Sequence, residues 1–164
     1  GVFSRLLNDH GAEVVAIDSD PTVAGMTFLR AKAENLHILP LCIDIARPSP
    51  ALGWRNQETQ SFLERAEGKF DTVLLLAVLH HLWASSGISV EETSELAAKL
   101  SSEFAVVEYI HPNDPAFLKI ARGRDYSHIT QTRFETAFGK HFEILERQIV
   151  SSECRTLFLL RKRK

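Results

Sequence analysis

The chain has 164 residues, the size of one domain, and its 45% hydrophobic and 24% charged residues are ordinary globular values. Nineteen basic and 21 acidic residues give a formal net charge of −2, which indicates neither a nucleic-acid-binding protein nor a disordered acidic one. No apolar run reaches the roughly 18–20 residues of a membrane span. We interpret Cys42 and Cys154, which lie in apolar stretches, as reduced core thiols of a cytoplasmic protein.

The first third of the chain alternates helix and strand. The pattern predicts a helix from Val2 that Gly11 stops, a strand over Val14–Asp18, a helix capped by residues 19–22 that ends near Asn35, and a strand over His37–Asp44. Both strands close on an acidic residue. Pro40 lacks a backbone N–H and therefore predicts that the second strand lies at a sheet edge.

Phe70–Trp83 is the most apolar stretch and predicts the central strand. Val73–Leu79 runs without a charge, which is typical of a strand covered on both faces, although a buried helix has the same composition. The charge of Asp71 before the run and the pair His80-His81 after it favour the strand. Ligands of open α/β sheets bind beyond the carboxyl ends of the strands, so we expect both histidines at that edge.

The remaining elements complete an α/β pattern. We expect a loop over 47–54, a short helix from Asn56 or Thr59 to Ala66, a helix over Ser89–Leu100 with a capping box, a strand over Phe104–Ile110, helices over Asp114–Arg122 and Thr132–Phe138, strands over His141–Val150 and Cys154–Leu160, and a solvated basic tail over 161–164. Three residues separate the last two strands, which must therefore pair antiparallel. The predicted fold is a single α/β domain over 1–164, a Rossmann-like doubly wound, mostly parallel sheet ending in an antiparallel β-hairpin.

These residues resemble a known family over nearly the whole chain. The pattern Gly1-x-Phe3-Ser4, the segment Ile17–Pro21, Asp44, the stretch Phe70–Leu82 and the terminal hairpin resemble class I S-adenosylmethionine-dependent methyltransferases. More narrowly, residues 48–54, His80-His81-Leu82, Glu108-Tyr109 and Arg155–Leu157 resemble the bacterial subgroup of the NoeA-type nodulation proteins. The resemblance implies S-adenosylmethionine as cofactor and a small-molecule methyl acceptor. The charge balance and the short apolar runs indicate no nucleic acid and no membrane as partner.

The resemblance also implies a set of cofactor-binding residues. Asp18 takes the place of the acid that binds both ribose hydroxyls, which suits a carboxylate because it accepts two hydrogen bonds. Ser19 lies along the adenine, Asp44 accepts from the adenine amino group, and Ile45 packs on the ring. Gly1, Phe3 and Ala77 complete the predicted set. As alternatives, Asp18 caps the following helix and Asp44 merely forms a turn.

His80 is the first candidate for a catalytic base, because an imidazole titrates near neutral pH. His81 is the second candidate, and Glu108 is placed to orient either histidine. The alternative is that the histidines cap a helix or bind backbone carbonyls. A less favoured alternative is a divalent metal held by His80, His81, Glu108 and His111. Aromatic residues that could shape the acceptor pocket are Trp54, Tyr109 and Tyr126.

Two other functions are compatible with the sequence. An NAD(P)-binding Rossmann oxidoreductase also has an acid after its second strand, but the antiparallel hairpin disfavours it. A non-catalytic methyltransferase-like binding module has the same sequence pattern. The family's first strand and most of its glycine-rich loop should precede Gly1. We therefore expect a preceding segment between the strand ending at Asp18 and the strand over Thr72–Ala77, and we expect Asp18, Asp44 and Ala77–His80 to converge on one cleft.

Overall fold

The computed structural model describes residues 1–151 and 154–164. The chain forms two compact units, residues Gly1–Phe62 and Leu63–Lys164, and each is described by itself. The single domain over 1–164 stays a prediction. None of the helices in the described ranges is both long and apolar enough to cross a membrane.

The first unit is a two-stranded parallel sheet with helices before and between its strands. Its elements are α1 (Val2–Asp9), β1 (Val14–Asp18), α2 (Pro21–Ala33), β2 (Ile38–Cys42) and a 3₁₀ turn (Trp54–Asn56), and α3 (Phe62–Ala66) begins at its last residue. Helix α2 begins where expected because the Asp20 carboxylate accepts a 2.7 Å hydrogen bond from the backbone N–H of Thr22. Pro21 follows at the first helical position, where its missing N–H costs nothing.

The second unit contains a four-stranded sheet. Its elements are β3 (Phe70–Leu75), α4 (Leu79–Ala84), α5 (Val90–Leu100), β4 (Ser101–Ile110), α6 (Pro115–Ala121), α7 (Gln131–Gly139), β5 (Phe142–Ser151) and β6 (Arg155–Lys162). The strand order is β3-β4-β6-β5. Strands β3 and β4 are parallel, whereas β6 is antiparallel to both β4 and β5. The predicted parallel strands and terminal antiparallel hairpin are confirmed.

An aromatic cluster forms the core of the second unit. The rings of Phe134 and Phe138 on α7 are stacked with centroids 4.3 Å apart, and the Phe158 ring of β6 lies 4.8 Å from that of Phe134. All three side chains are fully buried, as is Phe142 at the start of β5. Burial of each such ring stabilises the fold by about 1.5–3 kcal/mol. This cluster fixes α7 against the hairpin.

The central strand is shorter than predicted. Strand β3 ends at Leu75, and the prediction that it continues through Ala77 or Leu79 is wrong. Ala77 has a φ of +53° and donates its backbone N–H to a side chain, so it cannot continue a β ladder. Leu79 begins α4 instead, which places His80 and His81 in the first turn of a helix rather than directly at the end of a strand.

Three smaller expectations are also wrong. Helix α3 begins at Phe62, later than Asn56 or Thr59. Cys42 is a free thiol, as predicted, but it is exposed rather than in the core, and Cys154 is half-buried. The basic tail is not simply solvated, because β6 extends to Lys162, whose Nζ donates to the carbonyl oxygens of Ala98 and Ser101.

Strands β1 and β3 each have one neighbour. Within the described part of the chain, β1 pairs with β2 and β3 pairs with β4, and the second edge of each strand carries no partner. For β2, the single partner agrees with the edge position that Pro40 predicts. The expectation that a further strand belongs beside β1 and β3 stays a prediction.

Candidate functional site

Asp18 ends β1 with an exposed carboxylate. Its Oδ1 accepts a 2.9 Å hydrogen bond from the backbone N–H of Asp20, which shapes the turn into α2. Asp20, not Asp18, is the N-cap of that helix, so the alternative role of Asp18 as a helix cap is wrong. The Oδ2 atom of Asp18 has no hydrogen-bond partner among residues 1–151 and 154–164. One oxygen therefore fixes the side chain and the other is available to a ligand.

Asp44 lies at the same edge of the two-stranded sheet as Asp18. The parallel register sets Asp18 opposite Cys42, and the backbone N–H of Ile43 donates to the Asp18 carbonyl oxygen over 2.9 Å. The Asp44 carboxylate accepts from the backbone N–H of Ala46 at 3.0 Å and from Nε of Arg47 at 3.2 Å. The turn-forming role of Asp44 is therefore real, and any bond to an adenine amino group would have to use the remaining lone pairs.

The other predicted residues of the first unit differ in exposure. Ser19 is exposed and Ile45 is half-buried. Gly1 precedes α1, and a Cβ atom built there would meet only Oγ1 of Thr27 at 3.8 Å, so the described neighbours do not demand glycine. Phe3 lies on α1 with 57% of its surface exposed.

In the second unit, Glu108 holds the loop between β3 and α4. The backbone N–H of Ala77 donates a 2.7 Å hydrogen bond to Oε2 of Glu108, which lies on the neighbouring strand β4. A positive φ in a non-glycine residue costs of order 1 kcal/mol, and this charged hydrogen bond offsets the cost. The Glu108 carboxylate is engaged with the backbone of Ala77 rather than with either histidine.

Arg155 extends this contact into a network of three charged side chains. Its Nη1 lies 3.4 Å from Oε1 of Glu108, while Nε and Nη2 lie 2.8 and 3.0 Å from the two carboxylate oxygens of Asp114. Asp114 is also the N-cap of α6 and accepts from the backbone N–H of Ala116. The Arg155 guanidinium holds the pKa of Asp114 below its usual value. The network therefore fixes the Ala77 loop, β6 and the start of α6 to one another.

His80 is buried and electrically neutral at pH 7. It is 4% exposed, and its Nδ1 has no hydrogen-bond partner in the part of the chain that the structure describes. The pKa of His80 is lowered to about 4, mainly by burial, with His81 and Arg155 acting in the same direction and Asp114 in the opposite one. The ring does not cap α4, because the structure shows no side-chain hydrogen bond at the start of that helix. The capping alternative for His80 is therefore wrong.

His80 and the exposed His81 line an open cavity of about 710 Å³, and their ring centroids are 4.3 Å apart. The other lining residues are Ser85, Ala116, Lys119, Ile120, Arg122 and Arg124. Within the described ranges, no three His, Cys, Asp or Glu side chains lie close enough to one another to bind a metal ion. The metal site considered for His80, His81, Glu108 and His111 is therefore not formed.

The aromatic residues predicted for the acceptor pocket have different surroundings. Tyr109 is buried, and its hydroxyl donates to the carbonyl oxygen of Ile129 over 2.9 Å, so it is a structural residue. Burial also raises the pKa of Tyr109 to about 12. Trp54 is 79% exposed, and Tyr126 lines a smaller neighbouring cavity of about 260 Å³.

The network partners Asp114 and Arg155 were not predicted from the sequence as functional residues. Asp114 was recognisable only as the residue before a proline at a helix start. Arg155 lies 41 residues further along the chain, and no local pattern links the two. Asp18 and Asp44 belong to one compact unit and Ala77, His80 and Glu108 to the other, so their convergence on one cleft stays a prediction.

Comparison with solved structures identifies the fold. Magnesium protoporphyrin IX methyltransferase ChlM from Synechocystis PCC 6803, crystallised with bound SAH, matches with a TM-score of 0.68 at 21% identity, over 99% of this chain and 69% of ChlM. N-methyltransferase NodS from Bradyrhizobium japonicum WM9 matches with a TM-score of 0.56 at 19% identity, over 92% of this chain and 73% of NodS. The chain therefore has the Rossmann-like fold of the class I S-adenosylmethionine-dependent methyltransferases.

In sequence, the chain is similar to the nodulation protein NoeA of Rhizobium meliloti strain 1021. The two are 27% identical over 161 residues, which cover 96% of this chain and 33% of NoeA. The chain thus spans about a third of the length of this curated relative. No protein-family model matches the sequence.

Proposed function

We propose that this chain belongs to an enzyme that transfers the methyl group of S-adenosylmethionine to a small-molecule acceptor. The observation that carries the proposal is the exposed Asp18 carboxylate at the carboxyl end of β1, with one oxygen available to a ligand, in the fold of class I methyltransferases. ChlM has this fold and was crystallised with both SAH and SAM. Both cysteines are free thiols, which supports a cytoplasmic location.

The side chains of the first unit suit the nucleoside part of this cofactor. Asp18 would accept hydrogen bonds from the ribose hydroxyls, because a carboxylate with one uncommitted oxygen can accept from a vicinal diol. Ser19 and Ile45 would lie against the adenine, and Asp44 would accept from its amino group with the lone pairs that its turn leaves available. Gly1 and Phe3 complete the proposed cofactor-binding set of this unit, and Ala77 is the residue proposed for the second unit.

The cofactor, when bound, supplies an electrophilic methyl group on a sulfonium sulfur. The chain's own residues would align the acceptor, exclude water and take up a proton if the acceptor carries one. His80 is the proposed base, because it lines the cavity and its Nδ1 has no hydrogen-bond partner among the described residues. His81 is the second candidate. Glu108 acts on the site by holding the Ala77 loop.

Substitution of Asp18 tests the proposal through cofactor affinity. In the whole protein, we expect Asp18→Ala to weaken binding of S-adenosylhomocysteine by about 1–3 kcal/mol, the contribution of charged hydrogen bonds to the ribose. Asp18→Asn should weaken binding as well, although its amide oxygen can still accept from the N–H of Asp20 and so preserve the turn. Titration calorimetry measures both affinities.

The two Asp18 variants separate a ribose contact from a turn contact. If Asp18→Asn binds the cofactor as tightly as the unsubstituted protein while Asp18→Ala does not, Asp18 acts only through the turn and the proposed ribose role is wrong. Asp20→Asn is the matched control, because it removes a neighbouring charge while keeping an N-cap for α2. We expect this control to bind with unchanged affinity.

A further inference from the structure

The cavity beside His80 and His81 has a positively charged wall. Lys119 lies on α6, Arg122 follows the end of that helix, and Arg124 lies two residues further on. No acidic side chain lines the cavity in the described part of the chain. The charges that face this space are therefore all of one sign.

These cations are not neutralised by nearby carboxylates. Across the residues that the structure describes, Lys119, Arg122 and Arg124 form no ion pair, whereas Arg155 and Arg133 each bind a carboxylate. Arg124 is nevertheless held in place, because its Nη2 donates to the carbonyl oxygen of Ala84 and its Nε donates to that of Ala121. A guanidinium fixed by neutral carbonyl groups retains its full charge for a ligand.

His80 supplies a second, independent sign of a ligand. It lines the same cavity, it is 96% buried, and its Nδ1 has no hydrogen-bond partner within residues 1–151 and 154–164. Buried polar groups without a partner are rare in native proteins because each costs about 1–3 kcal/mol. Ala116 and Ile120 give the cavity an apolar side. Its volume of about 710 Å³ is within the range of small-molecule sites.

We propose that this cavity binds the methyl acceptor and that the acceptor carries an oxyanionic group, a carboxylate or a phosphate, which lies against Lys119, Arg122 and Arg124. The proposal rests on the methyltransferase function proposed above and assigns the chemical class of its acceptor. Arginine and lysine side chains bind oxyanions through charge-assisted hydrogen bonds. The apolar side at Ala116 and Ile120 suits the carbon skeleton of such a molecule, and His80 and His81 line the same space.

The test uses three probes that share a phenyl ring and differ in their polar group. Benzoate carries a carboxylate, phenyl phosphate carries a phosphate, and benzamide is neutral. We expect benzoate, phenyl phosphate or both to move the ring-proton NMR signals of His80 and His81 saturably in the whole protein, and benzamide to leave them in place. The stronger of the two anions identifies the oxyanion class. An equal response to benzamide, or no response to either anion, would overturn the proposal.

Charge substitutions locate the binding. The double variant Lys119→Gln/Arg122→Gln should weaken the affinity for the preferred anion about fivefold or more, since it removes two charge-assisted contacts. The matched control is Lys69→Gln/Lys140→Gln, which makes the same change in net charge at two exposed residues that do not line the cavity. Equal affinities in the two double variants would show that only the overall charge matters, which contradicts the proposal.

Anion binding is measured independently of cofactor binding, because the three probes are titrated without S-adenosylmethionine. If the anions bind near His80 and His81 but the protein binds no cofactor, the proposed methyltransferase function is wrong and the anion site is supported. If the cofactor binds but the anions do not, the methyltransferase function stands and the proposed acceptor class is wrong.

Discussion

Replacement of Arg155 by methionine should lower the free energy of unfolding by about 3 kcal/mol, because it leaves two partly buried carboxylates without their common cation. The side chains of Asp114 and Arg155 are only 5% and 23% exposed, and the guanidinium binds both carboxylate oxygens. The Glu108 carboxylate, 12% exposed, would lose the same partner while still accepting from the Ala77 N–H. Methionine retains most of the apolar volume of the side chain, so packing changes little.

Arg161 on the same strand provides the matched control. Its guanidinium also binds a carboxylate, that of Glu143, but both side chains are about half exposed, at 53% and 51%. Exposed ion pairs contribute roughly 0–1 kcal/mol, so Arg161→Met should change stability little. Urea unfolding followed by circular dichroism measures both variants. Equal losses for Arg155→Met and Arg161→Met would contradict the stabilising role assigned to the buried network.

The free energy of unfolding should decrease as the pH falls from about 6.5 to about 4, and part of this decrease should come from protonation of His80 in the unfolded chain. Burial lowers the pKa of His80 from 6.5 to about 4 in the folded state, so the unfolded chain binds a proton first as the pH falls. The contribution of the neutral buried ring is therefore complete above pH 6.5 and is lost progressively down to pH 4. This difference in pKa between the unfolded and the folded state corresponds to a loss of about 3 kcal/mol in the free energy of unfolding.

The comparison of variants isolates the proton of His80 from the other titrating groups. His80→Phe keeps an aromatic ring beside Phe117 but cannot bind a proton, so its stability should depend less steeply on pH over the same range. The exposed His128 is the control, because it is not among the groups that shift the pKa of His80, and His128→Phe should leave the His80-dependent loss of stability in place. Unfolding free energies measured in urea at several pH values provide the test. Identical slopes for the protein and for His80→Phe would show that His80 is not held neutral by the fold.

The elements with local signals were predictable from the sequence. The Asp20-Pro21 pair places the start of α2 because an N-cap and a proline act on the residues next to them. The same holds for α5, where Ser89 and Glu92 form both hydrogen bonds of a capping box. The antiparallel pairing of β5 and β6 followed from the short link between them. In the candidate site, the position of Asp18 at the end of β1 was predicted in the same way.

The features that depend on distant residues were not predictable. The apolar run continues unbroken to Leu79, and nothing in it marks the end of β3 at Leu75. The chain turns at Ala77 because Glu108, 31 residues later, accepts its N–H, and alanine rarely adopts a positive φ. The charged network likewise joins Asp114 to a residue 41 positions away. Such long-range hydrogen bonds leave no periodic pattern in a single sequence.

Binding of cofactors to the whole protein is the most direct test of the proposed function. A ligand that binds only the folded state raises the unfolding temperature, and the increase grows with the logarithm of the ratio of its concentration to its Kd. We expect S-adenosylmethionine and S-adenosylhomocysteine to raise the unfolding temperature and to bind with a stoichiometry of one in calorimetry, and we expect NAD to do neither. Stabilisation by NAD without any effect of the two S-adenosyl compounds would contradict the proposed methyltransferase function, and so would the absence of binding by all three.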